Sequence, residues 1–169
     1  MSGVLLEPIP FERRGALDNL FQFYIHDFSE LWAGQGRAEL EEDGLFALDG
    51  SLQSYFTDPT RKAFFIRADG HLAGFALINA ASHAGREIDF NVGEFFVARK
   101  HRRFGVGRRA AHLLFEGMRG RWEVAVVETN ANAIPFWRNA IAQCVVVRDV
   151  EEVQGDGVRW RGPIFCFRT

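Results

Sequence analysis

Residues 94 to 107 read EFFVARKHRRFGVG and run straight into RRAAHLLFEGMRG, residues 108 to 120. An apolar, β-prone run gives way to a basic turn broken by glycines, and an amphipathic helix follows. That order builds an anion site, because the unpaired N–H groups of a helix N-terminus converge on a phosphate. Gly105 and Gly107 let the main chain close around a bulky anion and tolerate positive φ. Arg102, Arg103, Arg108 and Arg109 supply charge-assisted contacts. A pyrophosphate is the ligand this stretch suits, carried by the turn Arg102, Arg103, Phe104, Gly105, Val106, Gly107 and Arg108.

With Arg102, Gly105 and Gly107 in the three specified positions, the turn resembles the Q/R-x-x-G-x-G/A motif of the GCN5-related N-acetyltransferases (GNAT). The hexapeptide alone is weakly specific, but its surroundings match as well. A second strand, WEVAVVE (Trp122 to Glu128), follows the helix, and TNANAIPFW comes next. There Asn130, Ala133, Phe136 and Trp137 match the family's N-x-x-A-x-x-F-Y/W signature at the start of the following helix. The resemblance extends loosely over the chain. It implies a mixed α/β fold whose central sheet is mostly antiparallel, with two splayed parallel strands and flanking helices. It also implies acetyl-CoA as the cofactor and acyl transfer to an amine as the reaction. The backbone amide of Phe96 or of Val97 would polarise the thioester carbonyl by analogy, and Asn130 would hold polar atoms of the pantetheine arm or part the strands.

Two rival nucleotide-binding readings use the same letters. Gly105, Gly107 and Ala110 spell G-x-G-x-x-A, with Glu128 ending the next strand, which is a dinucleotide fingerprint on paper. In that fold the first glycine follows its strand almost directly, whereas Ala98 to Phe104 intervene here and five of those seven residues are basic, counting His101. The chain beyond Glu128 is also short for the remaining crossovers of a doubly wound sheet. A P-loop is excluded because no G-K-[S/T] follows the glycines.

The 169 residues, 47% of them hydrophobic, fit one domain over residues 1–169 with room for a core. No apolar run approaches the ~18 to 20 residues of a membrane span, and MSGVLLEPIPFERR lacks the layout of a signal peptide, so a cytoplasmic protein is expected. A net charge of −2 argues against nucleic acid as a partner. Cys144 and Cys166 lie among apolar neighbours and read as buried free thiols, although a hairpin about Gly155 to Gly157 would bring them near each other.

The remaining pattern gives a strand at Val4 to Ile9 and a helix from about Phe11 to Leu31, in which Ala16, Leu17, Leu20, Phe21, Tyr24, Ile25 and Phe28 form an apolar stripe. A polar, acidic loop about Glu39 to Asp43 follows, and Asp49-Gly-Ser51 introduces a short helix that Asp58-Pro59 ends. KAFFIRA, Asp69-Gly70 and HLAGFALINA read as a hairpin. Gly93 interrupts the strand IDFNVGEFFVA and marks a bulge. The helix from about Val106 to Arg119 makes Glu94 to Ala98 and Val124 to Glu128 parallel neighbours. QCVVVRDVEE and VRWRGPIFCFR close the sheet as a second hairpin.

Acyl transfer needs a neutral amine, a polarised carbonyl and a protonated leaving thiolate. A lysine-like amine, with a pKa near ~10.4, is neutral in only about one molecule in two thousand at pH 7, so a base helps. Glu94, a carboxylate inside an apolar strand beside the bulge, is the leading candidate; the other reading is a carboxylate that only orients substrate. Glu128 is the alternative base. Well-known members of the family place the base further upstream, near Asp89 or Asn91. Many also use a tyrosine where this chain has Trp137, and an indole is no general acid at neutral pH. Tyr24 and Tyr55 are the only tyrosines, and the general acid stays unassigned.

His112 shares a polar helix side with Arg108, Glu116 and Arg119 and reads as solvated. His26, His71, His83 and His101 show no ligand spacing, and no metal is expected. Two other functional classes use the same features: a CoA-binding sensor without chemistry, and a dinucleotide-dependent oxidoreductase. The acceptor, a small-molecule amine or a peptide, is set by loops that the scaffold leaves free to vary. A second copy of the chain, as a homodimer, is left open.

Overall fold

The computed structural model describes residues 3–48 and 50–169; Asp49, expected to open the short helix, lies outside them. Among the described residues one sheet of seven strands forms, in the order β1-β2-β3-β4-β5-β7-β6. Its members are β1 (Val4–Pro8), β2 (Lys62–Ala68), β3 (His71–Asn79), β4 (Phe90–Val97), β5 (Arg121–Ala125), β6 (Arg148–Gln154) and β7 (Pro163–Arg168). The helices are α1 (Arg14–Ser29), which 3-10 turns at Phe11–Arg13 and Glu30–Trp32 extend at both ends, α2 (Ser54–Thr57), α3 (Val106–Gly117) and α4 (Ala133–Ala142). Asp69 and Gly70 both take positive φ, 51° and 80°, and close the β2–β3 hairpin as a two-residue turn.

Alternation along β3 sorts the core into two layers. Ala76 and Ile78 pack with Ala111, Leu114 and Phe115 of α3 and with Trp137, Ala140 and Ile141 of α4. Phe75 and Leu77 pack instead with Leu17, Tyr24 and Ile25 of α1. The sheet is therefore covered by α3 and α4 on one face and by α1 on the other, as a period of two requires.

Among the described residues one neighbouring pair of strands is parallel. β4 and β5 meet at Phe90 with Trp122 and at Asn91 with Glu123, and the ladder stops there. Beyond that point β4 stays with β3, through Glu94–Leu77, Phe95–Ala76, Phe96–Phe75 and Val97–Gly74. β5 stays with β7 as far as Ala125–Ile164. Each strand follows its antiparallel neighbour, and a slot opens between them. Gly74 helps hold β4 on its course, since a Cβ there would stand 1.9 Å from Phe96 O.

Some expected positions along the sheet move. The second parallel strand ends at Ala125 rather than Glu128, although Val126 N and Glu128 N still donate to Pro163 O and Arg161 O. The parallel contact lies at Phe90–Asn91 and Trp122–Glu123, upstream of the expected Glu94–Ala98 and Val124–Glu128, which are the parted ends. The last hairpin begins at Arg148 rather than Gln143, because Cys144 to Val147 fold into a turn, with Val147 N donating to Cys144 O. Cys166 consequently faces Glu151 across β6 and β7, and both cysteines are free, buried thiols.

Candidate active site

A groove of about 880 Å³ opens where β4 and β5 part. The C-terminal half of α1, the end of β4, the turn into α3 and the first turns of α4 wall it in, with Tyr24, Phe96, Val97, Gly107, Asn130 and Phe136 among its lining.

Its floor is the start of α3. Gly105 caps the helix at φ 80° without a side-chain hydrogen bond, and Arg109 N is the first amide to enter the ladder, donating to Gly105 O at 2.9 Å. The preceding amides of the first turn point out of the helix, the arrangement that binds an anion. Gly107 lies against the ring of Phe136, where an added Cβ would come within 3.3 Å. Main chain can thus approach a ligand closely here, and Gly105, Gly107, Arg103 and Arg108 all line the groove.

The arginines divide the work. Arg102 donates from Nε to Val97 O at 2.6 Å and pairs with Asp27 of α1, which Arg99 also engages at 2.8 Å. Burial would raise the Asp27 pKa, but the hydrogen bonds from Arg102 and Arg99 outweigh it and hold the carboxyl below its ordinary range. Arg102 is therefore a clamp that fixes the turn to α1 and to the end of β4. Arg108 donates to Gln143 Oε1 at 2.8 Å, and Arg109 turns away to Glu116. Arg103 takes positive φ, is exposed, and has no side-chain hydrogen bond or ion pair among the described residues, which leaves its charge available to a ligand.

Behind the groove stands Glu94. Leu77 pairs with Glu94 and Ile78 with Val92, so Gly93 is the extra residue of a bulge. Strict alternation from Val92 would turn residue 94 toward α3 and α4; the inserted glycine reverses the parity and puts Glu94 on the α1 face, opposite Leu77. There Tyr24 Oη donates to Glu94. Burial first, then the charge and hydrogen bond of Glu94, push the Tyr24 hydroxyl well above its ordinary value. Tyr55 is raised as well, by burial foremost, with the Glu94 charge adding and the hydrogen bond from Asn79 opposing. A Cβ on Gly93 would meet Asn79 Nδ2 at 2.6 Å and Tyr55 Oη at 2.9 Å, so the bulge itself is packed by this cluster.

The polar chain continues upstream. Asn79 Nδ2 donates to Tyr55 Oη at 3.2 Å, and Asn91 Nδ2 donates to Asn79 Oδ1 at 3.0 Å. Asn91 is fully buried and its Oδ1 has no partner among the described residues. Opposite it across the last parallel rung, Glu123 is also fully buried and accepts from Ser82 Oγ at 2.7 Å and from the backbone amides of His83 and Ala84. These bonds outweigh desolvation, the largest single influence, and hold the Glu123 pKa below its ordinary value.

Of the sequence-level candidates, Phe96, Val97, Arg102, Arg103, Gly105, Gly107, Arg108, Asn130, Ala133 and Phe136 come together in the groove wall. Phe104 is 74% exposed and Val106, the first residue of α3, is buried in the core, so neither belongs to the groove lining. Trp137 is 6% exposed and packs edge-on to Phe95 and Phe136, out of the groove. Glu128 sits exposed in the turn after β5, outside the groove lining, and Tyr24 rather than Glu128 is what meets Glu94. The Tyr24–Glu94 contact spans 70 residues and no local pattern announces it. Glu123 carried a signal, a charge alternating with Trp122 and Val124 in WEVAV, that placed it on the opposite face to the α3 layer.

Parted parallel strands thus lie beside a glycine-built helix start whose open amides can receive an anion. The sequence profile of the Acetyltransferase (GNAT) family matches residues 17–140, and the chain belongs to that family. Membership implies acetyl-CoA-dependent acetyl transfer. Solved structures of similar fold include an acetyltransferase from Thermus thermophilus, 20% identical with a TM-score of 0.68 over 98% of this chain and 96% of that one. The PaiA N-acetyltransferase from Thermoplasma acidophilum, in complex with coenzyme A, is 9% identical with a TM-score of 0.59 over 99% of both chains. The ribosomal-protein-S18-alanine N-acetyltransferase from Escherichia coli is 13% identical with a TM-score of 0.56 over 97% of this chain and 91% of that one. No curated protein matches by sequence.

Proposed function

We propose that this protein is an acetyl-CoA-dependent N-acetyltransferase that acetylates a primary amine, on a small molecule or a peptide, by direct attack in a ternary complex. One observation carries the reading: the open amides of the α3 N-terminus face the same groove into which the β4–β5 slot opens, so an anion site and a strand-lined channel adjoin. The residues fit the cofactor, since Gly107 leaves the space that a side chain would fill against Phe136 and Arg103 offers a cation with no ion pair among the described residues. Bound acetyl-CoA would supply the activated acyl thioester. Gly105 to Arg108 would hold its pyrophosphate, Asn130 its pantetheine arm, and the amide of Phe96 or of Val97 would receive the carbonyl oxygen.

Glu94 is the base. It would take a proton from the attacking amine, directly or through water. Tyr24 retains its proton at neutral pH, lines the groove and already touches Glu94, which suits it to donate toward the departing sulfur while Glu94 returns the proton gained from the amine. One proton would thus pass from the neutral amine through Glu94 and Tyr24 to the sulfur, while the extra proton of an acceptor that arrives as an ammonium would leave to water first. Trp137 is too deeply packed to serve. The net charge of −2 supports the reading of a cytoplasmic single-domain enzyme that acts without nucleic acid.

The test is turnover of acetyl-CoA against a broad panel of amines, followed as free thiol. Release that depends on one amine class supports the enzyme, whereas tight CoA binding with no turnover across the panel would make the protein a CoA-binding sensor.

A further inference from the structure

Away from the groove, on the outer side of the α3–α4 contact, three unlike metal-binding side chains meet. His112 and Glu116 are one helical turn apart on α3, and Cys144 follows the end of α4. A ring nitrogen of His112, a carboxylate oxygen of Glu116 and Sγ of Cys144 all lie within 4.8 Å of one another. Small side-chain rotations bring donors at that spacing onto one ion, for which Zn–N, Zn–O and Zn–S bonds run from about 2.0 to 2.3 Å. His112 is not the solvated residue its helix face suggests. It is half-buried, and its Nε2 meets Ala140 O at 2.8 Å. A carbonyl only accepts, so that nitrogen carries the proton and Nδ1 keeps the lone pair. A backbone carbonyl in this position is the usual orienting partner of a metal-binding imidazole.

We propose that His112, Glu116 and Cys144 form a three-ligand site for Zn2+ that clamps α3 to α4 and leaves a fourth position open. The donor set of one imidazole, one carboxylate and one thiolate neutralises the ion's charge. Neutral histidine, ionised Glu116 and deprotonated Cys144 sum to minus two. Binding therefore releases the Cys144 proton to solvent. Arg109 is the competitor. It holds both Glu116 oxygens at 3.1 Å, but it is half-exposed and able to swing into water as the ion takes the carboxylate. The site borders the groove through Gln143, which precedes Cys144 and receives Arg108.

The site makes no use of acetyl-CoA, and its test is independent of acetylation. The purified chain is titrated with Co2+ as a spectroscopic substitute and with Zn2+ in competition. One equivalent of Co2+ is expected to give a thiolate-to-metal charge-transfer band and tetrahedral d–d bands, both bleached by Zn2+, and Zn2+ is expected to raise the melting temperature. Cys144→Ser should abolish the charge-transfer band, and Glu116→Gln should weaken Zn2+ affinity about 10-fold or more. Arg109→Ala should strengthen it severalfold by freeing Glu116, an outcome that mere surface adsorption would not give. Cys166→Ser is the control and should keep the band. A wild-type chain with no charge-transfer band, or one whose band survives Cys144→Ser and disappears in Cys166→Ser, overturns the proposal. Should Cys144→Ser fold poorly, Glu116→Gln decides alone: unchanged Zn2+ affinity in that variant overturns it.

Discussion

Glu94 and Tyr24 share a proton donor and acceptor behind the groove, so each has a distinguishable failure. Glu94→Gln keeps the shape and removes the base; kcat is expected to fall roughly 10² to 10⁴-fold while the dissociation constant for acetyl-CoA stays within experimental error. Loss of acceptor affinity with kcat intact at saturation would mean that Glu94 only orients substrate. Tyr24→Phe deletes the hydroxyl that meets Glu94 and should lower kcat with little change in CoA binding; a wild-type rate removes it as the acid and leaves water in that role. At the cradle, Gly107→Val thrusts a branched side chain into Phe136, whose ring already stands at 3.3 Å from the Cβ position. Calorimetry should show CoA affinity lost in a folded protein. Arg103→Ala should weaken binding more at low than at high ionic strength, as expected of an exposed phosphate contact, and a salt-independent effect would place the residue elsewhere.

At the scale of elements, the bulge in β4 and the loop over β5 set the face on which chemistry happens. Gly93→Ala places a methyl against Asn79 Nδ2 and Tyr55 Oη, so the bulge must shift and carry Glu94 with it. Turnover should drop while the spectrum of the folded sheet persists, and CoA affinity, set chiefly by the turn into α3, should hold. Glu123 pins residues 82 to 84 to β5. Because its folded pKa lies below the ordinary 4.5, it adds stability above the carboxylate range, and that stability is lost as pH falls through the lowered folded value. Glu123→Gln, which leaves backbone donors facing an amide, should cost roughly 1–3 kcal/mol near neutrality. Melting curves across pH should show the gap to wild type closing on the acid side, and a gap constant with pH would show the carboxylate to be un-ionised in the fold. The hairpin turn, the helix stripe, the bulge and the anion turn were legible in sequence because each rests on local rules: positive φ at glycine, a period of 3.6, or a period of two. What Glu94 touches was not, since the partner depends on how α1 lies across the sheet. The parity reversal at Gly93 explains why a charged residue survives in that strand, yet only the pairing of Leu77 with Glu94 shows which face it takes. Trp137 likewise matched a motif by its letter, and only packing reveals that its ring joins the core.

For the molecule as a whole, α1, the Arg-rich turn and α4 belong to different parts of the chain and are held together around the groove by few direct bonds. Asp27 with Arg99 and Arg102 joins the first two, and Arg108 with Gln143 joins the turn to the end of α4. A ligand that bridges the turn and α4 therefore stabilises an assembly that is otherwise tied at its edges, and only the folded chain can bind it. By mass action, CoA at a concentration of 100 times its dissociation constant should add about 2.7 kcal/mol, which for a domain of this size corresponds to a melting temperature higher by roughly 5–10 °C. The shift should grow logarithmically with CoA concentration and vanish in Gly107→Val. Asp27→Asn supplies the architectural control. It leaves the cradle amides untouched but frees Arg102 and Arg99, so the turn is no longer anchored to α1. The apo protein should melt lower, and the CoA-induced shift at a fixed concentration should shrink because part of the binding energy now orders the turn. If Asp27→Asn melts like the wild type and responds to CoA equally, the turn is held by Arg102 on Val97 O alone, and α1 is a wall of the groove rather than part of its frame.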